Sequence, residues 1–193
     1  MPTSIAISAQ RKNKMRIVGG IYKRRLITYP DDALHIRPTK DRVREAIFSA
    51  LGDLSNYRGL DLYSGSGAMG IEGLSRGCSF MTFVDQNKIA IETTKKNLNS
   101  LNIENAEVLF MKDEMALSSF IKDKKVFDIV FLDPPYKEGK YEEVVSMLLN
   151  NNLISEHGII VMESDHDIAL DDSLFQKRRD YKYGDIKVII LWR

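Results

Sequence analysis

Apolar residues fall along this chain in two rhythms. From residue 60 onward, short continuous apolar runs alternate with stretches in which apolar residues recur every three or four positions. The runs Leu60-Asp61-Leu62-Tyr63, Phe80-Met81-Thr82-Phe83-Val84, Ala106-Glu107-Val108-Leu109-Phe110, Phe127-Asp128-Ile129-Val130-Phe131-Leu132 and Ile159-Ile160-Val161-Met162 read as buried strands. The intervening stretches 71–76, 88–100, 114–121 and 141–150 read as helices; around 88–100, Ala90, Thr94, Leu98 and Leu101 share one face. Strand–helix alternation with apolar strands predicts a parallel sheet covered on both faces. A last pair of runs, 176–183 and 186–192, meets at Gly184-Asp185 and predicts a closing hairpin that adds an antiparallel edge strand. Upstream, Thr39 as N-cap and Asp41 in the first turn open a helix whose buried face is Val43, Ala46, Ile47, Ala50 and Leu51, and Gly52 closes it. Before that helix, Ile17-Val18-Gly19-Gly20-Ile21-Tyr22 interrupts a basic tract and predicts an ordered hairpin with a Gly-Gly turn.

Composition narrows the class. The 193 residues are 44% hydrophobic and 28% charged, the balance of a globular domain with a real core. No run of eighteen apolar residues is present, and the basic residues near the start follow the apolar ones, the wrong order for a secretory signal. The single Cys78 predicts a reducing compartment, the cytoplasm, and a small buried side chain rather than a nucleophile. His35, His157 and His166 lack ligand spacing, so no metal is expected. The net charge of +1 is unevenly spread: residues 1–44 carry +8 and the remainder −7. A basic arm on an acidic body suits a protein that grips a polyanion at one end. The expected division is a basic arm over 1–36, with Arg16, Lys23, Arg24 and Arg25 as polyanion contacts, and a body over 37–193 whose first helix adds Arg42 and Arg44.

The body carries two chemical motifs. The first is Asp61-Leu62-Tyr63-Ser64-Gly65-Ser66-Gly67-Ala68-Met69-Gly70, a G-x-G-x-x-G string after a strand and before a helix. Its glycines let backbone approach a nucleotide cofactor near a helix N-terminus. Asp85, at the tip of the next strand, is placed to accept from two ribose hydroxyls. An acid at Asp61 repels a pyrophosphate but suits the cationic methionine end of S-adenosylmethionine. Asp113 is a candidate acceptor for the adenine amino group and equally a helix N-cap; Tyr63, Ser66, Gln86 and Glu114 complete the expected donor site.

The second motif is Asp133-Pro134-Pro135-Tyr136, at the end of a buried strand. Two prolines with fixed φ and no N–H make a rigid corner that cannot continue a ladder. The corner offers a carboxylate, carbonyls without competing donors, and a flat ring. That set suits a planar base with an exocyclic amine, held by acceptors and stacked on an aromatic. Asp133 and the Pro134 carbonyl would accept the amine N–H groups, and Tyr136 would stack.

Together the motifs resemble a known family, the bacterial small-subunit rRNA guanine-N2 methyltransferases of the RsmD type. The resemblance runs from Met15 almost to the C-terminus. It is carried by Met15-Arg16-Ile17-Val18-Gly19-Gly20, by residues 37–48 from Arg37-Pro38-Thr39-Lys40 to Phe48, by residues 60–67, by Gly73-Leu74-Ser75-Arg76-Gly77 and by the corner. It implies a Rossmann-like class I methyltransferase fold, α/β, with a seven-stranded mostly parallel sheet and an N-terminal β-hairpin extension. It further implies S-adenosyl-L-methionine as donor and one guanine of 16S rRNA, free or in the assembled small subunit, as acceptor; a monomer is expected. The first fourteen residues extend beyond the family's usual start. A DNA methyltransferase acting on adenine N6 or cytosine N4 would use the same corner, but no segment is large enough for a target-recognition domain. A non-catalytic ribosome-assembly protein on a decayed fold would show losses in the glycine loop or the corner, and both are intact. The basic arm argues against a small-molecule methyltransferase.

Overall fold

The computed structural model describes residues 13–30, 41–134 and 140–193, the side chain of Asp172 excepted. Nine strands and five helices are present among them: β1 (Lys14–Arg16), β2 (Leu26–Thr28), α1 (Asp41–Leu51), β3 (Arg58–Leu62), α2 (Ala68–Ser75), β4 (Phe80–Asp85), α3 (Lys88–Leu101), β5 (Ala106–Phe110), α4 (Asp113–Lys122), β6 (Phe127–Leu132), α5 (Tyr141–Asn150), β7 (Ile154–Ser164), β8 (Lys177–Tyr183) and β9 (Ile186–Trp192). Strands β3 to β9 form one sheet in the order β5-β4-β3-β6-β7-β9-β8. The first five pair in parallel, whereas β9 runs antiparallel to both β7 and β8. The antiparallel strand is therefore one place in from the edge, and β8 forms the edge itself. Strand β7 is longer than its apolar run, because Ile154 pairs with Phe127 before a bulge restores the register at Ile159.

Period-two burial splits the core between the faces. Phe83, Ile129, Phe131, Val161, Val188 and Ile190 point to one side and meet α1, α2, α3 and the hairpin. Leu60, Leu62, Val84, Val130, Leu132 and Met162 point to the other and meet α4 and α5. Asp61 faces the first side, so the covering of that side decides what can reach it. The strand order reverses between β3 and β6, which sit side by side. In a doubly wound sheet the crevice at the carboxyl ends of such strands is where ligands bind.

The hairpin is sewn into this layer. Strands β1 and β2 pair antiparallel, and Met15, Ile17 and Ile27 are buried in the same core as Ile47, Phe48 and Ile71. Its reversal, however, is not made by Gly19-Gly20: the loop spans 17–25, with Ile17 N–H donating to the Arg25 carbonyl and Arg24 N–H to that of Ile17. The glycines serve contact instead. Gly20 has φ of +70°, and a Cβ there would lie 1.7 Å from the Ser75 carbonyl oxygen. Backbone pressed this closely onto the end of α2 admits only glycine. The expected boundary between 36 and 37 and the Thr39 cap lie outside the described residues.

Candidate active site

Five acids cluster at the carboxyl end of the sheet. Asp61 is the penultimate residue of β3, Asp85 the last of β4, Asp113 opens α4 after β5, Asp133 follows β6, and Glu163 is the penultimate residue of β7. Two of them are fixed by the glycine loop and the turn after β4. The Asp61 carboxylate accepts from Gly70 N–H at 2.8 Å, and Asp85 accepts from Gly65 N–H at 2.8 Å and Asn87 N–H at 2.7 Å. Gly67, at φ of +77°, occupies the N-cap of α2 and donates its N–H to the Ser64 carbonyl. The loop is gripped from α3 as well: Thr94 Oγ1 donates to the Gly65 carbonyl at 3.0 Å, and Asn97 Nδ2 to that of Ser66 at 2.9 Å. Asn97 also donates to the Thr28 carbonyl and accepts from Thr28 N–H and Oγ1, so one side chain ties the loop to the hairpin.

The charges in the crevice are unevenly compensated. Burial, with repulsion from Asp85, raises the Asp61 carboxyl from 3.8 to about 7 despite the Gly70 N–H. Burial likewise holds Asp85 above the ordinary range against its three backbone N–H partners. Asp133 is raised well above that range, by desolvation of its carboxyl first and then by the like charges of Glu163 and Asp61, although the residue as a whole is exposed and water weakens each of these effects. Asp113 behaves oppositely: burial opposes its charge, but the Tyr63 hydroxyl at 2.7 Å, Glu114 N–H and Lys140 hold its carboxyl below the usual value. Lys140 spans Asp113 at 3.4 Å and Glu114 at 2.9 Å. Buried carboxylates without a cation favour a cationic ligand, because its charge relieves their repulsion.

The expected site residues therefore separate into groups. Asp61, Gly65, Ser66, Gly67 and Asp85 converge around the glycine loop, and Asp133 and Pro134 stand beside them. Tyr63, in a left-handed conformation at φ of +71°, reaches Asp113. Gln86 is exposed, and Glu114 is engaged by Lys140. Pro135 and Tyr136 lie outside the described residues. Among the basic residues, Lys23, Arg24, Arg25 and Arg42 are exposed, and Arg16 is exposed while pairing with Asp41 at 2.6 Å. Arg44 is not available to a phosphate: it is 1% exposed, with its guanidinium on the Arg16 carbonyl, the Met15 sulfur and Asp41. Helical spacing puts it one turn before Phe48, on the inner face.

Three functional positions escaped the sequence. Glu163 ends an apolar strand as Asp85 and Asp133 end theirs, a signal that was there to use. Thr94 and Asn97 grip the loop from a helix face whose pattern reads as ordinary amphipathicity. Among the described residues, no three metal-ligating side chains gather, and no helix is long and apolar enough to cross a membrane. Cys78 is buried, and burial with repulsion from Asp128 pushes its thiol up to about 12, which leaves it inert.

Known proteins are similar to this chain in sequence and fold. The family model described as Conserved hypothetical protein 95 matches residues 15–192. A Bacillus subtilis protein described as a candidate rRNA methyltransferase, YlbH, is 38% identical over 83% of this chain and 88% of its own. The Escherichia coli K12 ribosomal RNA small subunit methyltransferase D is 34% identical over 79% of this chain and 75% of its own. Among solved structures, an Escherichia coli protein described as a candidate methyltransferase, yhhF, superposes with a TM-score of 0.78 at 30% identity, covering 93% of this chain and 98% of its own. A more distant candidate methyltransferase complexed with SAH shares the fold alone, with a TM-score of 0.65 at 16% identity over 82% of this chain and 50% of its own. With a hairpin docked on a reversed α/β sheet, a glycine loop beside Asp133-Pro134, and a match over nearly its whole length, the chain belongs to the Conserved hypothetical protein 95 family, alongside the ribosomal RNA small subunit methyltransferases D.

Proposed function

We propose that this protein transfers a methyl group from S-adenosyl-L-methionine to the exocyclic N2 of a guanine in 16S rRNA. The observation that carries the reading is the placement of Asp133-Pro134 at the end of β6, directly beside Asp61 and the glycine loop at the sheet's reversal point. The residues fit the donor. Asp61 and Asp85 are acids held above their ordinary range, as suits a site completed by a cationic ligand. Gly65 and Gly67, both at positive φ, give the loop a backbone path that other residues would strain to follow. When bound, S-adenosylmethionine supplies an electrophilic methyl group.

The protein's contribution is placement. Asp61 would face the donor's ammonium, and Asp85, its loop-side bonds already made, would offer its remaining lone pairs to the ribose hydroxyls. Asp133 and the Pro134 carbonyl would accept the two N2–H groups, turning the nitrogen lone pair toward the methyl. In-line orientation of this kind is worth roughly 7–11 kcal/mol at best. Acceptors that tighten as the nitrogen gains positive charge add on the order of 3 kcal/mol. Tyr136 would stack on the base. The exposed Lys23, Arg24, Arg25 and Arg42 would hold the RNA backbone, and a single chain would act in the cytoplasm.

The test offers tritiated methyl donor with 16S rRNA, small subunits and duplex DNA in parallel, followed by nucleoside identification. N2-methylguanosine from an rRNA substrate is the expected product. Label in N6-methyladenine or N4-methylcytosine, or in DNA alone, overturns the reading.

A further inference from the structure

The reaction needs an acceptor for the amine, yet the structure supplies a second acid beside it. Leu132 of β6 and Met162 of β7 are register partners in a parallel pair, and both side chains enter the α4–α5 side of the core. The next residues along, Asp133 and Glu163, are therefore neighbours across the two strands and point to the opposite side, the side of Asp61. Their closeness is felt in the charge: Glu163 is the strongest of the like charges acting on Asp133. Glu163 is 7% exposed. Its backbone is fixed from behind, where Tyr141 Oη donates to the Glu163 carbonyl at 2.6 Å, and Arg44 is close enough for the two charges to interact.

Resting on the guanine reading above, we infer that Glu163 selects guanine by accepting its N1–H while Asp133 accepts the adjacent N2–H. Guanine presents N1–H and N2–H side by side on its Watson–Crick edge, two parallel donors. A base carrying both donors relieves the repulsion between two adjacent carboxylates. Adenine and cytosine present a ring nitrogen with a lone pair beside their amine, which would face the Glu163 carboxylate and be repelled. Asp133 alone offers an acceptor that any exocyclic amine satisfies. Glu163 makes the pair discriminate, because the lone pair of a wrong base's ring nitrogen is set against its carboxylate.

The probe is 2-aminopurine, placed at the target position of an RNA substrate. It keeps the 2-amino group of guanine but has a bare N1. Wild-type protein should methylate guanine at least 100-fold faster than 2-aminopurine in single turnover. Glu163→Gln keeps the side chain's size, and its amide can turn either its oxygen to the N1–H of guanine or its NH₂ to the N1 of 2-aminopurine. The guanine-to-2-aminopurine rate ratio should fall tenfold or more in this variant. Fluorescence titration of the 2-aminopurine RNA should show tighter binding by the variant than by wild type, with SAH affinity unchanged. Wild type that accepts 2-aminopurine as readily as guanine overturns the inference, and this arm needs no variant to fold. An unchanged ratio in a folded Glu163→Gln protein also overturns it. Failure of wild type to modify guanine at all is a different outcome, and it would remove the proposed function instead.

Discussion

Two buried acids lie close to the same short helix, α2, and they live in opposite circumstances. Glu72, within the helix and 0% exposed, gives one oxygen to Arg76 Nε at 2.9 Å and the other to Val18 N–H at 2.9 Å. The Arg76 guanidinium in turn lies over the Phe48 ring, 5.2 Å from its centroid. Asp61, under the helix N-terminus and 4% exposed, accepts one backbone N–H and has Asp85 and Asp133 for neighbours. The first acid is matched by a cation of its own chain and pins hairpin to helix. The second is matched by no cation among the described residues, and its carboxyl rises to about 7. A buried acid with its own cation reports on the fold; one without reports on a ligand.

If that contrast is right, removing Glu72 should damage stability and removing the crevice acids should damage binding or chemistry. Glu72→Ala strands Arg76 beside an apolar layer and orphans Val18 N–H. Breaking one partner of a buried pair costs about 3–5 kcal/mol, and urea unfolding should show a loss near the lower figure because Arg76 keeps some solvent. A loss below 1 kcal/mol would mean that the hairpin is held by its apolar residues alone.

Asp133→Asn should leave the fold and SAH affinity nearly intact while slowing single-turnover methyl transfer on the order of 10²-fold, about 2.7 kcal/mol. Since Asp133 must be ionised to accept strongly and its carboxyl is raised, kcat/KM should fall as the pH is lowered through its elevated value. The Asn variant should lose that limb of the profile. A profile unchanged in shape would place the limb on another group.

Asp61→Asn tests the same acid in two directions. Folding raises its pKa from 3.8 to about 7, so this group's contribution to stability is most favourable below the lower value and is lost as the pH rises through the upper one. At pH 8 the ligand-free Asn variant should therefore be more stable, by about 1–3 kcal/mol out of a limit near 4 at 1.36 kcal/mol per unit. Binding of the cationic donor should weaken about tenfold. In wild type, donor affinity should drop as the pH falls below about 7, because a proton must leave before the cation binds. Calorimetry in two buffers of different ionisation heat should register that released proton at pH 6, and an Asn variant of unaltered donor affinity would break the comparison.

The contrast also explains what the sequence disclosed. Strand-end acids after apolar runs, such as Asp85 and Asp133, announce themselves because a charge that interrupts a buried pattern is conspicuous. The glycine loop was legible as a string set between a strand and a helix, although Gly67 and Gly70 also serve packing, against Thr94 and Phe83. Glu72, Asn97 and Arg44 were not, since helix faces carry polar residues routinely and only the docked hairpin turns these positions inward. Arg44 shows the error most plainly. Counted as one more charge of a basic arm, it is instead a buried tie from α1 to Met15 and Arg16. The Gly19-Gly20 pair misled in the same way, since its partner is Ser75, more than fifty residues along the chain.

The smallest expected effect concerns the hairpin's outer side, where charge is neither buried nor matched. Lys23, Arg24 and Arg25 are exposed along the reversal, while the hairpin's inner residues Met15, Ile17 and Ile27 carry the packing. Arg25 donates to the Ser100 carbonyl at 3.2 Å at the end of α3, so part of its guanidinium is engaged. Two side chains then remain for phosphates. Replacing all three with Ala should lower the slope of log K against log salt by about 1.4–1.8 for a single-stranded or duplex segment, at 0.7–0.9 per contact. RNA affinity near physiological salt should fall no more than about tenfold, with melting temperature and SAH affinity unchanged. The contrast predicts this separation, because Lys23 and Arg24 face solvent and the Arg25 contact with the Ser100 carbonyl is itself exposed. A slope equal to wild type would move the RNA surface off the hairpin. A large drop in melting temperature would instead show that these charges belong to the fold, as Arg44 does.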